Sequence, residues 1–242
     1  MSGHSKWNNI KRKKEKTDAQ RAKIFTKIGR ELIVAVRDGG ADPSLNSRLK
    51  DCIAKAKSNN VPNENIERII KKAAGDGDGN NYEAITYEGY GLGGVAFIVE
   101  TLTDNRNRTA GNLRHYFDKY GGNLGTSGCV SFMFSPKGVF VIDKENQSED
   151  TVMEDSLECG ASDFNADGEY FVITTEKEDY SDVYSALAEK GYSFISADIE
   201  MVPENYIKIS DDSQLCKLQS LVEILEEDDD VQNVWHNCEN LD

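Results

Sequence analysis

Residues 75–81 read GDGDGNN: three glycines, two aspartates and no apolar side chain, a segment that cannot bury itself. It separates two stretches that cannot share one folding pattern. Before it, apolar residues recur at three- and four-residue spacing; after it, period-two runs alternate with helical ones. Charge divides at the same place. Residues 1–75 hold 18 basic and 8 acidic side chains, net +10, in a chain whose formal net charge is −15. The remainder therefore carries −25, and the two ends of the molecule present opposite fields.

The basic part begins with a stretch that has only Trp7 and Ile10 as large apolar residues up to Lys16. It should be a mobile arm, residues 1–16, because it has too little to bury. From Asp18 the pattern turns helical: Ile24, Phe25, Ile28, Leu32 and Val36 make one apolar stripe. Thr17 or Asp18 can cap it, and the Gly39-Gly40 pair ends it. Leu45, Leu49, Cys52, Ile53 and Ala56 mark a second helix after an Asp-Pro-Ser turn at residues 42–44. Pro62 opens a third, with Ile66, Ile69, Ile70 and Ala73 inward. Residues 17–75 are thus expected as a basic three-helix domain.

Beyond the linker (residues 76–81), strands are expected at 84–89, 95–102 and 130–134, with a helix between the last two capped by Thr103 or Asp104. Residues 139–202 then read β-α-β-β-α-β, the split unit of a ferredoxin-like sandwich. A strand at 206–209, a helix at 211–225 and a strand at 231–235 follow. The pieces flanking residues 138–203 sum to a second such unit. The expected fold is therefore α+β: the three-helix domain, then two ferredoxin-like α/β sandwiches. Residues 138–203 form one, inserted in the other (residues 82–137 plus 204–242).

No run approaches the ~20 apolar residues of a membrane span, and the N-terminus lacks a secretory signal's apolar core. Five scattered cysteines without a C-x-x-C pair indicate a reducing, cytoplasmic setting. The three histidines, His4, His115 and His236, share no metal-ligand or catalytic-triad spacing, so neither an enzyme, a metal nor a cofactor is implied.

The candidate ligand is nucleic acid. Lys6, Lys11, Arg12, Lys13, Lys14 and Lys16 on the arm, then Arg21, Lys23, Lys27 and Arg30 on the first helix, can follow a phosphate backbone and release its counterions. Trp7 offers a face for stacking on a base. Arg106 and Arg108 stand at a predicted helix N-terminus, where two cations oppose the dipole. They would be at ease beside a phosphate, or beside a carboxylate from elsewhere in the fold. The glycine-rich residues 121–128 lack the spacing of a phosphate-binding loop and read as a flexible connection. The acidic run 226–230 reads as a solvated loop, although it could hold a cation.

Several segments in order then carry a resemblance: GHSKW at 3–7, IFTKIGREL at 24–32, NIERIIKKA at 65–73, YEGYG at 87–91, TDNRNRT at 103–109 and GGNLGTSG at 121–128. Together they resemble the YebC/PmpR family, whose members are commonly named probable transcriptional regulatory proteins. A mitochondrial relative is the translational activator of cytochrome c oxidase subunit I. The resemblance implies three domains in a crescent, the last inserted in the second. The family usually has Pro after YEGYG, where this chain has Leu92. It also implies one of two activities, DNA-binding regulation of transcription or action at the ribosome on ribosomal RNA or tRNA. No base-reading module is visible, and a basic arm suits backbone contact. The expectation is a non-enzymatic nucleic-acid-binding regulator of gene expression, with the transcriptional reading first and the ribosomal one as alternative. A protein scaffold whose arm binds an acidic partner is a third. The acidic domains could in turn meet a basic protein.

Overall fold

The computed structural model describes residues 18–75 and 81–241. The arm expected at 1–16 and most of the linker lie outside the described residues. The basic part is three helices: α1 (Asp18–Gly39), α2 (Ser47–Ser58) and α3 (Asn63–Gly75). Ile28, Leu32 and Val36 of α1 meet Leu49, Cys52 and Ala56 of α2 and Ile66 of α3 in one core, with Ile24 and Phe25 at its margin. The predicted stripe is therefore the buried one. Leu45 departs from its expectation. It lies in the turn before α2 and is 85% exposed, because Asn46 starts the helix instead. The buried Asn46 accepts from the Leu49 N–H at 3.0 Å and donates to the Ala35 and Gly40 carbonyls at 2.7 and 2.8 Å. One side chain thus caps α2 and ties its start to two carbonyls at the end of α1.

The first sheet holds β1 (Glu83–Tyr90), β2 (Ala96–Thr103), β3 (Asn123–Leu124) and β8 (Val231–His236) in the order β3-β1-β2-β8. Helices α4 (Arg106–Lys119) and α7 (Asp212–Glu227) cover one face. Phe97 and Val99 of β2 pack there with Phe117, Leu221 and Leu225, while Ala96 and Ile98 bury on the other face with Val130 and Phe134. Burial on both faces explains why β2 is apolar without alternation.

The second sheet holds β4 (Phe134–Asp143), β5 (Asp163–Asp167), β6 (Tyr170–Glu176) and β7 (Phe194–Pro203) in the order β5-β6-β4-β7, every pairing antiparallel. Helices α5 (Glu149–Glu158) and α6 (Tyr180–Glu189) pack on Phe140, Ile142, Phe171 and Ile173. The element order, β-α-β-β-α-β, is the one expected for residues 139–202.

The first sheet reaches a similar spatial order by another route. The 206–209 segment makes only an isolated bridge, Ile207 to Cys238, and is not a sheet strand. The position between β2 and β3 is taken by β1 from the leading hairpin. Nor is 130–134 a strand. A 3-10 turn forms at Ser131–Met133, and the short β3 pairs with β1 instead, inside the stretch read as a flexible connection.

Candidate nucleic-acid interface and the latch beside it

Lys23, Lys27 and Arg30 lie at four- and three-residue spacing on one side of α1, so they share a face. That face meets the C-terminus of α7. Lys27 Nζ donates to the Glu226 carbonyl at 2.9 Å and Lys23 Nζ to the Glu227 carbonyl at 3.2 Å. Cations there satisfy helix-end carbonyls and the negative end of the dipole. Burial draws the half-buried Lys27 ammonium down to about 8, against the pull of Glu226, Asp228 and Asp229.

Arg30 goes further in. Its Nη1 donates to the Asp229 carbonyl at 2.6 Å and the Leu102 carbonyl at 3.2 Å, and lies 2.8 Å from Asp230 Oδ1. Its guanidinium also sits 5.3 Å from the Tyr82 ring centroid. The other oxygen of Asp230 is held by Arg108 Nη2 at 2.7 Å, with the Thr109 and Thr103 hydroxyls at 2.8 and 3.1 Å. Arg108 also reaches Asp104 at 2.8 Å. Burial by itself would raise the Asp230 carboxyl. The bonds from Arg108, Thr109, Arg30 and Thr103 outweigh it and hold the group below the ordinary carboxylate range. Asp230 is thus one buried anion clamped by an arginine from the three-helix region and an arginine from α4. Val34, Tyr82 and Leu102 bury together alongside.

This decides where several predicted contacts lie. Arg108 sits beside a carboxylate from elsewhere in the fold, and Lys23, Lys27 and Arg30 are engaged within the chain. Arg106 is exposed at the first turn of α4. The helix N-cap is Asn105, which accepts from the Arg108 N–H at 3.0 Å, and not Thr103 or Asp104. Thr103 faces Asp230. Arg21 is on α1; its side chain, like Lys6, Trp7, Lys11, Arg12, Lys13, Lys14 and Lys16, lies outside the described residues. The acidic run is not simply a solvated loop. Glu226, Glu227 and Asp229 are exposed, but Asp230 is buried, and Asp228 accepts from Tyr116 Oη at 3.1 Å.

A second buried carboxylate organises the glycine-rich segment. Glu88, 5% exposed, accepts from the Gly128, Val130 and Ser131 N–H groups at 2.7, 2.7 and 2.8 Å. Burial would raise its pKa; the three N–H donors prevail and lower it. The segment's anion site is therefore filled from within. By drawing in the N–H groups of Val130 and Ser131, Glu88 makes a turn where alternation predicts a strand. Gly89 and Gly122 let the two segments touch: a Cβ on Gly122 would lie 2.5 Å from the Tyr90 carbonyl oxygen. Among the described residues, no group of His, Cys, Asp or Glu could hold a metal ion. None of the described helices is long and apolar enough to cross a membrane.

Residues 5–76 match the TACO1/YebC protein N-terminal domain, and residues 82–238 match the TACO1/YebC second and third domain. The chain belongs to the TACO1/YebC family. A "probable transcriptional regulatory protein" of Acetivibrio thermocellus is 58% identical over 238 residues, covering 98% of each chain. One of Finegoldia magna with the same name is 57% identical over 240 residues, covering 99% of this chain and all of its own. The crystal structure of a conserved hypothetical protein from Aquifex aeolicus superposes with a TM-score of 0.85 at 45% identity, over 93% of this chain and 92% of that one.

TACO1/YebC proteins are a non-enzymatic family. The two buried carboxylates of this member are both bonded to donors of the chain itself. The motifs that carried the resemblance now have physical reasons. YEGYG and GGNLGTSG are the two sides of the Glu88 contact. TDNRNRT supplies Thr103, Asp104, Arg108 and Thr109 of the Asp230 clamp. Leu92 opens a 3-10 turn, Leu92–Gly94, closed by the Gly91 N–H to the Val95 carbonyl at 2.7 Å. Asp230 and Glu88 themselves were missed. Nothing local distinguishes them among 43 acidic residues.

Proposed function

We propose that this chain is a nucleic-acid-binding regulator of gene expression, specifically a DNA-binding transcriptional regulator of the cytoplasm. Its contact surface would be the arm together with the outer faces of α2 and α3. The observation that carries this is the charge segregation, +10 on residues 1–75 against −25 on the rest. The name of the relatives, probable transcriptional regulatory protein, agrees. Lys50, Lys57, Arg68, Lys71 and Lys72 are exposed on α2 and α3, so the helical domain keeps a basic outer surface after its inner cations are engaged. Lys6, Trp7, Lys11, Arg12, Lys13, Lys14, Lys16, Arg21 and Arg106 make the contact in this reading. Lys23, Lys27, Arg30 and Arg108 hold the helical domain against the first sheet. The domains are 17–75, 82–137 with 204–242, and 138–203. The acidic remainder repels phosphate and turns a bound polyanion toward the basic end.

A gel-shift salt titration on duplex DNA and on ribosomal RNA fragments tests this. Six arm cations on phosphates of duplex DNA give a log–log slope of about −5. A preference for the RNA would transfer the reading to the ribosome. A slope near zero on both would refute it.

A further inference from the structure

The second sheet has two faces, and its two helices cover one. Register assigns the other. Val139 pairs with Thr174 and Asp198, and Val141 with Val172 and Ser196. Tyr170 pairs with Asp143, and Asp163 with Thr174. Cross-strand partners share a face, so these side chains stand opposite Phe140, Ile142, Phe171 and Ile173. Away from both helices, this face would be expected to meet solvent. Yet Val139, Val141, Tyr170 and Val172 are only 1–3% exposed, and among the described residues the apolar side chain packed with them is Val202. Around this apolar stripe the same register places Asp143, Asp163, Glu176, Asp198 and Glu200, against a single cation, Lys137.

The surface is thus an apolar stripe within an acidic rim. A complementary segment needs cations interleaved with one or two large apolar residues. Residues 1–16 are such a segment, with Trp7 and Ile10 among Lys6, Lys11, Arg12, Lys13, Lys14 and Lys16. Its reach suffices. Lys55 of α2, bonded to Glu31 of α1 at 2.9 Å, is near enough to feel the Asp198 carboxylate, so the helical region lies near strand β7 at the edge of this sheet. From Glu31 to Asp18 is about 20 Å of helix, and sixteen extended residues span up to roughly 55 Å.

We infer that the basic arm docks in the free protein on the outer face of the second sheet, with Trp7 and Ile10 over Val139, Val141, Tyr170 and Val172 and its cations along the acidic rim. The acidic face is then a rival of nucleic acid for the same cations. Binding of a polyanion exchanges one for the other, and the arm is withheld from weak or short ligands. The docking does not depend on the functional reading; only the exchange does.

Zero-length carbodiimide crosslinking of the full chain, read by peptide mass spectrometry, tests both. Lys11, Lys13, Lys14 and Lys16 should join to Asp143, Asp163, Asp198 and Glu200, and not to Glu149, Asp150 or Glu154 on α5. Asp163→Lys with Glu200→Lys should cut the yield at Asp143 and Asp198 about fivefold, corresponding to about 1 kcal/mol. Should that variant lose its circular dichroism, Trp7→Ala in the otherwise unaltered chain gives the same readout. Arm crosslinks scattered over both faces, or none, would overturn the docking. Adding duplex DNA should suppress them. Crosslinks that persist under saturating DNA keep the docking and overturn the arm as the nucleic-acid contact.

Discussion

Replacing Asp230 by Asn keeps the volume and removes the charge on which Arg30 and Arg108 converge. The two arginines should not feel it equally. The Arg30 side chain is 16% exposed and Asp230 4%, so that pair is desolvated, whereas the Arg108 side chain is 46% exposed. Removing one member of a buried pair leaves the other charged and unpaired, at a cost of about 3–5 kcal/mol; a half-exposed pair contributes about 1 kcal/mol or less. The variant should therefore lose about 3–5 kcal/mol in urea unfolding, with a fall in Tm of roughly 6–20 °C. Adding Arg30→Met should recover part of this by removing the stranded charge. Adding Arg108→Met should recover little. Acid dependence follows the same carboxylate. Its folded pKa is depressed, so its stabilisation is in place above the ordinary value near 4 and is lost as pH falls through the folded one. Asp230→Asn should accordingly flatten the acid limb of the stability curve. A loss under about 1 kcal/mol, or equal recovery from the two arginine replacements, would refute Asp230 as a buried latch.

Glu88→Gln should cost about 2–3 kcal/mol, because one amide oxygen cannot serve three N–H donors; hydrogen exchange at Gly128, Val130 and Ser131 should accelerate together. Its depressed carboxyl, like that of Asp230, stabilises above the ordinary range and ceases to do so in acid. Asn46→Ala should lose about 2 kcal/mol, since it removes a helix cap and two hydrogen bonds that join α2 to the end of α1, and urea unfolding reads it directly. Gly122→Ala should destabilise the β1–β3 contact by driving a methyl against the Tyr90 carbonyl, seen as a lower Tm with unchanged helix content. Replacing Lys11, Arg12, Lys13 and Lys14 by Ala should flatten the DNA salt slope by about three to four units without lowering Tm; an unchanged slope rules the arm out as the contact.

Periodicity was a good guide wherever an element buries one face against its own neighbours. The stripe of α1, the inward face of α3 and the whole β4 to β7 unit are of this kind. It misled where a distant group takes over the backbone. Residues 130–134 alternate like a strand, but Glu88, more than forty positions earlier, holds their N–H groups in a turn. Residues 206–209 have strand composition, but the place beside β2 is already filled by β1, whose hairpin closes locally and needs no long connection. Thr103 has the chemistry of a cap, but Asp230 takes its hydroxyl.

The candidate site divides in the same way. Charge is additive along a chain, so the basic amino end and the acidic remainder were legible without coordinates. Which cations stay available to a polyanion is not additive. It depends on which carboxylate or helix end each one meets after folding. Lys23, Lys27, Arg30 and Arg108 look like the arm's lysines on paper, but the fold brings the α1 cations to the carbonyls that end α7, and Arg30 of α1 and Arg108 of α4 to Asp230. Composition determines the sign of the field at each end of this protein. Only tertiary structure decides which charges still face outward, because a salt bridge joins residues by distance in space and not by separation in sequence.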